Sequence, residues 1–307
     1  MSLTRRAFLK SAALTTAAAS LSPTLALPAT PAAFDFVFFT DTHIQPELDA
    51  AHGCEMAYRK IATLNPDFAI MGGDHVFDAV SVNRDRATTV FDLYQKTQSA
   101  LQMPLHQVIG NHDIFGVKAA SGASPSDPGY GKKMYEDRLG KTYYSFDHKG
   151  WHFIILDSIQ PTDDRLWDAR IDPTQLAWLK DDLQRTGTTP IIVTVHVPLV
   201  TAYPTWGQAA TPGKYSTLIV GNSLEVLPLF DAHNVVAVLQ GHLHINEVVA
   251  VKNTKYMVCG AVCGNWWRGA RFGVPEGFTV VSTRPDGTIT TRYESYGFKA
   301  IAAPEKS

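Results

Sequence analysis

Five apolar stretches of this chain are each followed by residues that can bind a metal ion. They comprise Asp41 and His43 after 34–40, Asp74 after 68–71, Asn111 after 105–109, His196 after 191–195, and His242 and His244 after 235–239. Two cations a few ångströms apart need several carboxylate or imidazole ligands, one shared carboxylate, and open positions for water and substrate. Oxygen and nitrogen donors without a thiolate suit Fe, Mn or Zn. The set therefore predicts a two-metal centre.

Each of these ligands also has a purely structural explanation when it is taken alone. Asp74 follows two glycines, as turn residues do, the segment 111–113 is compatible with a helix cap, and His196 with an ordinary buried histidine. The combination is more specific, because five separate strand ends carry compatible ligands. The pattern as a whole favours a metal centre.

The elements that must position these ligands alternate between strands and helices. Apolar periodicity predicts helices at 46–64, 84–101, 173–185 and 223–233, a hairpin at 142–156, long loops at 116–131 and 198–217, and strands at 246–252, 255–262, 277–283 and 288–296. The ligand-bearing stretches are themselves predicted strands. We therefore expect an α/β fold, a four-layer α/β/β/α sandwich of two mixed sheets flanked by helices.

The first 33 residues resemble a twin-arginine export signal. Arg5, Arg6 and Lys10 precede a weakly apolar stretch rich in Ala, Thr and Leu, with possible cleavage after Ala26, Ala29 or Ala33. A membrane anchor is the alternative, but the stretch carries several Ser and Thr residues and is short for a bilayer span. We expect export by the twin-arginine machinery, a periplasmic or secreted protein, and no permanent membrane anchor.

Charge and cysteine content limit the remaining possibilities. Removing three of the 27 basic residues with the leader leaves 24 against 29 acidic ones, a net charge of −5. Such a chain is not suited to the phosphate backbone of a nucleic acid, so no stable nucleic-acid partner is expected. The three cysteines, Cys54, Cys259 and Cys263, are predicted to be small buried thiols. Nothing in the sequence specifies an oligomeric state.

The ligands fall into five sequence blocks with a fixed order. The blocks are Asp41-x-His43, Gly73-Asp74, Gly110-Asn111-His112-Asp113, His196 before Pro198, and Gly241-His242-x-His244. Together they resemble the blocks of the calcineurin-like metallophosphoesterase superfamily. The resemblance implies one domain over residues 34–300 with a β-sandwich of mixed sheets between helices, in agreement with the fold expected from periodicity.

The resemblance also implies how the ligands divide between two metal ions. One metal is expected on Asp41, His43, Asp74 and His244, and the other on Asp74, Asn111, His196 and His242, with Asp74 bridging. A hydroxide bridging the metals would attack the phosphorus of a phosphoric ester. His112 is expected to stabilise the phosphoryl group or protonate the leaving oxygen, and Asp113 to orient His112. His112 and Asp113 are the predicted catalytic residues.

Differences from particular branches of the superfamily restrict the range of possible substrates. Ser/Thr protein phosphatases continue their Gly-Asp block with Arg-Gly, where residues 75–78 here are His-Val-Phe-Asp. Purple acid phosphatases place a tyrosinate ligand three residues after the bridging aspartate, where this chain has Phe77. The remaining similarity is to exported bacterial proteins, a branch that includes class III cyclic-nucleotide and glycerophosphodiester phosphodiesterases. We predict a small phosphodiester or phosphomonoester as substrate, with the diester favoured.

Aromatic residues in loops are the candidates for binding the rest of the substrate. Trp266, Trp267 and Arg268 lie between two glycines, and Tyr203 lies in the 198–217 loop. Indole and guanidinium groups can stack on a ring and pair with a phosphate. The alternative is that the tryptophans close the end of the core.

Two other functions are compatible with the same blocks. One is a nuclease of the superfamily, which the acidic mature chain disfavours. The other is a periplasmic metal-binding or scaffold protein on a phosphoesterase fold, which the complete ligand set disfavours.

Overall fold

Two mixed β-sheets pack face to face at the centre of the molecule. The structure is a computed structural model that describes residues 30–207 and 217–301. In spatial order, the first sheet contains β13 (Ile289–Ser295), β12 (Gly277–Thr283), β1 (Asp35–Phe39), β2 (Ala69–Met71) and β3 (Leu105–Gln107). The second contains β10 (Glu247–Val251), β11 (Thr254–Val258), β9 (Val235–Gln240), β8 (Ile191–Val195), β5 (Trp151–Leu156) and β4 (Tyr144–His148). The predicted sandwich of two mixed sheets is confirmed.

Parallel pairing in the middle of each sheet brings the ligand-bearing strand ends together. β1, β2 and β3 are parallel neighbours, and β5, β8, β9 and β11 form a parallel run in the other sheet. Parallel strands present their carboxyl ends at one edge of a sheet, where open α/β folds place their ligands. The five blocks therefore meet at one end of the sandwich.

Helices flank the two sheets. They are α1 (Ala50–Thr63), α2 (Arg84–Gln98), α3 (Lys133–Leu139), α4 (Pro173–Thr186), the short α5 (Tyr203–Trp206) and α6 (Ser223–Asp231). α2 begins at the cap residue Asn83, which accepts from the backbone of Arg86, and α4 begins after Asp172, which caps it through Thr174. None of the helices in the described ranges is long and apolar enough to cross a bilayer.

Some predicted boundaries shift for reasons visible in the backbone. The helix predicted from residue 46 begins at Ala50, because Leu48 and Asp49 have positive φ angles of 55° and 57°. The strand predicted at 255–262 ends at Val258, and Val262 then donates a backbone hydrogen bond to Thr40 in the opposite sheet. A small hairpin of β6 (Ile159–Pro161) and β7 (Trp167–Ala169) was not predicted, since its strands have only three residues each.

The interior consists of apolar side chains from both sheets. One apolar cluster lies between the sheets. It contains Phe36, Phe38 and Phe68 from the first sheet and its flanking residues, and Phe153 and Leu239 from the second. Cys54, Cys259 and Cys263 are buried and free, as predicted. Apolar side chains therefore pack between the sheets, and the polar ligands lie at the end of this layer.

Candidate metal centre

The backbone turns sharply at most of the predicted ligands. Five of them adopt the left-handed conformation that residues other than glycine rarely occupy: Asp41 (φ 56°), His43 (38°), Asp74 (56°), His242 (73°) and His244 (56°). Such conformations cost about 1–3 kcal/mol each and persist where the surrounding structure enforces them, typically at functional sites. The strand ends thus turn their polar side chains toward one another.

Glycines in the blocks allow this close approach. A Cβ atom on Gly110 would lie 2.1 Å from the backbone nitrogen of Asp74, and one on Gly73 would lie 2.4 Å from the His196 ring. Gly73 also has a φ of 102°. The second and third blocks therefore require glycine for steric reasons.

One half of the centre is formed by Asp41, His43 and His244. Nε2 of His244 lies 3.2 Å from Oδ1 of Asp41 and 3.2 Å from Nε2 of His43. Nε2 of His43 lies 3.5 Å from Oδ2 of Asp74. All four side chains are essentially inaccessible to solvent. The four predicted ligands of the first metal are adjacent.

The other half contains Asp74, Asn111, His196 and His242. Oδ2 of Asp74 lies 3.2 Å from Nε2 of His196, and donor atoms of Asp74, His196 and His242 all fall within 4.8 Å of one another. Among the described residues, Oδ1 of Asn111 is a buried polar atom without a hydrogen-bond partner, and buried Nε2 of His196 has no close polar contact besides the Asp74 carboxylate. Because buried polar atoms are rarely left unpaired, these two favour a bound cation.

The donor spacing fits metal ions. Zinc-type metals bind nitrogen and oxygen at about 2.0–2.2 Å, so two ligands on one ion lie roughly 3.0–3.5 Å apart. Oδ2 of Asp74 lies at such distances from both His43 and His196, one in each half. Asp74 therefore occupies the position of a carboxylate shared by two ions.

Backbone carbonyls fix the orientation of two ligand imidazoles. Nδ1 of His196 donates to Gly72 O at 2.8 Å, and Nδ1 of His244 donates to Gly264 O at 2.7 Å. Each bond leaves Nε2 as the ligand atom facing the centre. The role of these two carbonyl groups was not predicted from the sequence, because each is distant in the chain from the histidine that it contacts.

The electrostatics are those of ligands brought close together and removed from water. Burial lowers the pKa of His196, but the Asp74 carboxylate more than offsets this and raises it to about 9. Burial, reinforced by neighbouring His196, lowers the pKa of His242 to about 3. Burial alone would raise the pKa of Asp41, yet His244 holds that pKa well below its usual range. Asp41 is thus ionised and His242 neutral at neutral pH, the forms in which each can bind a cation.

His112 lies beside the centre in a fixed orientation. Its Nδ1 donates to the carbonyl oxygen of Phe77 at 2.6 Å, and its ring centroid lies 4.8 Å from that of His43. Its backbone nitrogen donates to Oδ1 of Asp74 at 2.8 Å. Nε2 is consequently the ring nitrogen left for a substrate.

The predicted role of Asp113 in orienting His112 is wrong. The Asp113 carboxylate instead accepts from the backbone nitrogens of Asp74, His75 and Gly110 at 2.8–3.0 Å and contacts Nδ1 of His75 at 2.8 Å. Asp113 is fully buried. It is a positioning residue for the loop that carries Asp74, and Phe77 O is the group that orients His112.

The loop residues predicted to bind substrate have different environments. Trp266 is partly exposed, and its ring lies 4.0 Å from His43 and 5.1 Å from His112 between centroids. Arg268, in the same loop, is also partly exposed. Trp267 is fully buried and donates from Nε1 to the carbonyls of residues 42 and 43. The prediction that Trp267 contacts substrate is therefore wrong.

Tyr203 is likewise held away from the ligands. It is 2% exposed, packs with Leu243, and its hydroxyl accepts from Arg271 at 3.2 Å. Nε of Arg271 in turn donates to Leu243 O, between two ligand histidines. Tyr203 thus packs against Leu243 of the fifth block and is not part of the accessible surface of the centre.

Known proteins with the same architecture include metal-dependent phosphatases. Human tartrate-resistant acid phosphatase type 5 is 26% identical over 269 residues, which cover 79% of this chain and 77% of that protein. A dimetal phosphatase from Danio rerio superposes with a TM-score of 0.58 at 14% identity, covering 85% and 99% of the two chains. Purple acid phosphatase from yellow lupin seeds superposes with a TM-score of 0.61 at 14% sequence identity, covering 88% of this chain and 52% of the lupin chain. These structural similarities show a shared fold.

The family model for calcineurin-like phosphoesterases matches residues 34–246, which include every ligand described above. The match extends over more than half of the chain and contains all five blocks in order. The chain belongs to the calcineurin-like phosphoesterase family.

Proposed function

We propose that this protein is a dinuclear-metal-dependent hydrolase of small phosphoric esters that prefers diesters to monoesters. The carrying observation is the position of Asp74 Oδ2, 3.5 Å from His43 and 3.2 Å from His196, with His112 beside it. A carboxylate placed in this way can be shared by two cations, which is the arrangement used for in-line displacement at phosphorus.

The proposed metal-holding residues form two neighbouring groups. We assign Asp41, His43, Asp74 and His244 to one metal, and Asp74, His196 and His242 to the other, with Asn111, whose buried Oδ1 has no hydrogen-bond partner among the described residues, as its fourth ligand. Fe, Mn and Zn suit this donor set. When bound, such ions supply a nucleophile at neutral pH and neutralise charge on the phosphoryl oxygens.

His112 has the placement of a proton donor. Phe77 O fixes its Nδ1–H, and Nε2 is then available to protonate the oxygen of the leaving group or to stabilise the phosphoryl group. The ring is partly exposed, unlike His43, so a substrate can reach it.

A phosphomonoesterase of the acid-phosphatase kind is the second candidate. It is favoured by the curated relative, which is an acid phosphatase. Against a purple acid phosphatase stands Phe77, whose ring centroid lies 6.5 Å from that of His43 and which has no oxygen to offer a metal. The missing phenolate argues against a purple acid phosphatase, and the resemblance of the sequence blocks to the bacterial phosphodiesterase branch is what supports the diester.

We also propose that the protein is exported by the twin-arginine machinery and acts in the periplasm or as a secreted protein on a small-molecule substrate. The twin arginines at positions 5 and 6 support this proposal, although they lie outside the described residues. We propose further that the mature protein has no permanent membrane anchor, because the leader is short and polar for a bilayer span. We also propose that it has no stable nucleic-acid partner, because its net charge is negative.

The decisive experiment compares bis(p-nitrophenyl) phosphate with p-nitrophenyl phosphate after loading with Mn²⁺, Zn²⁺ or iron. Asn111→Ala and His196→Ala serve as inactive controls, since each removes a ligand of the second position. Higher kcat/KM for the diester supports the phosphodiesterase, and higher kcat/KM for the monoester supports the acid-phosphatase alternative. Two bound metals without turnover of either ester would contradict the enzyme and favour a metal-binding scaffold.

A further inference from the structure

Trp167 and Trp266 lie at opposite ends of the metal centre. The Trp167 ring centroid is 6.2 Å from His242, with the two rings perpendicular. The Trp266 ring is 4.0 Å from His43 and 5.2 Å from His244. His43 and His244 surround one metal position, whereas His242 belongs to the other. Both tryptophans are partly exposed, so each end of the centre presents an indole to the substrate.

The hairpin that carries Trp167 is firmly held. Arg165, in its turn, donates to the carbonyl oxygens of Gly116, Val117 and Ala123 at 2.7–2.9 Å. Beyond β7, the backbone nitrogen of residue 221 donates to Ala169 O at 2.7 Å. Trp167 itself packs partly against the main core. Its ring is therefore presented to the centre at little entropic cost, as a preorganised contact should be.

The position of His112 decides which part of a substrate each indole meets. His112 lies 5.1 Å from Trp266 between ring centroids, so a leaving oxygen protonated by His112 places the leaving group on the Trp266 side. The substituents on a tetrahedral phosphorus diverge, and a diester has a second organic substituent that stays on the phosphorus. A retained substituent directed toward the other end would lie beside His242 and Trp167. A monoester has no atoms to place there.

We propose that Trp167 is a specificity-determining residue that contacts the retained substituent of a phosphodiester. The inference rests on the proposed function and adds a substrate class to it. The preferred substrates are phosphodiesters whose retained group is planar or apolar, such as an aryl or nucleoside group, because indole rings gain most from stacking and apolar contact.

The test uses three esters that release the same p-nitrophenolate: bis(p-nitrophenyl) phosphate, methyl p-nitrophenyl phosphate and p-nitrophenyl phosphate. In each, water supplies the new oxygen and the same phosphorus–oxygen bond breaks; the two diesters differ only in the retained substituent, and the monoester has an ionisable oxygen in its place. Trp167→Leu is expected to lower kcat/KM for the bis-aryl ester about tenfold and to leave the other two within about twofold. Trp167→Phe should restore most of the loss.

Ratios of kcat/KM between substrates, measured on one preparation, do not depend on the folded or metal-loaded fraction. Trp178→Leu is the matched control, since Trp178 is also partly exposed but lies on α4 against Tyr143. It should leave all ratios unchanged. An unchanged ratio in Trp167→Leu, or an equal loss for all three esters, overturns the inference while leaving the proposed function intact. Failure of the wild-type protein to hydrolyse any of the three overturns the proposed function and the inference together.

Discussion

The Asp113 carboxylate accepts a hydrogen bond of 3.0 Å from the backbone nitrogen of Asp74, 39 residues earlier in the chain. The same carboxylate accepts from the backbone of His75 and Gly110. It therefore holds the backbone from which the Asp74 carboxylate, proposed to be shared by two metals, projects, and its effect on activity should pass through Asp74.

Asp113→Ala should weaken metal binding and destabilise the protein. The substitution leaves three buried N–H groups without an acceptor, at about 1–3 kcal/mol each. Metal content after dialysis and the midpoint of thermal unfolding are the measurements. Asp113→Asn keeps one acceptor oxygen and should have a smaller effect on both. Full metal content with a large loss of kcat in Asp113→Ala would instead favour a direct part in the reaction.

His112→Ala should lose activity but keep its metals, in contrast to Asp113→Ala. His112 is close to the centre but is not among the assigned ligands, so the variant should keep two metals while kcat falls about 10²–10⁴-fold, the range for general acid–base catalysis. Elemental analysis and kcat on p-nitrophenyl esters test this. His52→Ala, on the exposed surface of α1, is the control for removal of an imidazole. Loss of metal in His112→Ala would contradict the assignment.

Gly53→Ala should destabilise the protein although alanine favours helices. Gly53 lies in α1, and a Cβ atom there would lie 2.2 Å from the Trp267 ring. The helix gains about 1 kcal/mol from alanine, but overpacking costs about 1–3 kcal/mol and more for a rigid indole. The free energy of unfolding, measured in urea, should fall. In a Trp267→Leu background the same substitution should be neutral or stabilising; equal effects in both backgrounds would exclude the clash.

His152→Gln should lose stability mainly at mildly acidic pH. Burial lowers the pKa of His152, but Asp182 and Asp147, which contact its two ring nitrogens at 2.9 and 2.6 Å, raise it above 6.5 overall. A raised pKa contributes stability that is complete below pH 6.5 and disappears as the pH rises through the folded-state value. The difference in unfolding free energy between wild type and variant should be greatest below pH 6.5 and shrink above it. A difference that grew with pH would contradict this sign.

Signal cleavage should occur after Ala26 or Ala29 and not after Ala33. Ala32 donates to Lys149 O at 2.9 Å, and its carbonyl accepts from Trp151 Nε1 and Thr283 Oγ1 at 3.3 and 3.1 Å. Cleavage after Ala33 would remove these bonds. Amino-terminal sequencing of the exported protein tests this prediction, and a mature chain that begins at Phe34 would contradict it.

The sequence by itself determined the family, the fold class and the grouping of possible ligands. Metal ligands are specified by side-chain type, and strand ends by short-range apolar patterns, so Asp41-x-His43 and Gly241-His242-x-His244 are visible without coordinates. The glycines before Asp74 and Asn111 are also visible in the sequence, but their steric reason is tertiary, because a Cβ atom at Gly73 or Gly110 would meet His196 or Asp74.

Only the tertiary structure decided what each neighbouring residue does. Trp266 and Trp267 are consecutive, yet one faces the metal centre and the other is buried against α1, because both have positive φ and the chain turns between them. Phe77 O orients His112 in place of Asp113, which instead holds the Asp74 backbone, since hydrogen bonds between distant segments cannot be inferred from adjacency. Trp167 reaches His242 from a three-residue strand with no sequence signal. These contacts join residues far apart in the chain, which strand pairing within a sheet and packing between the two sheets bring together.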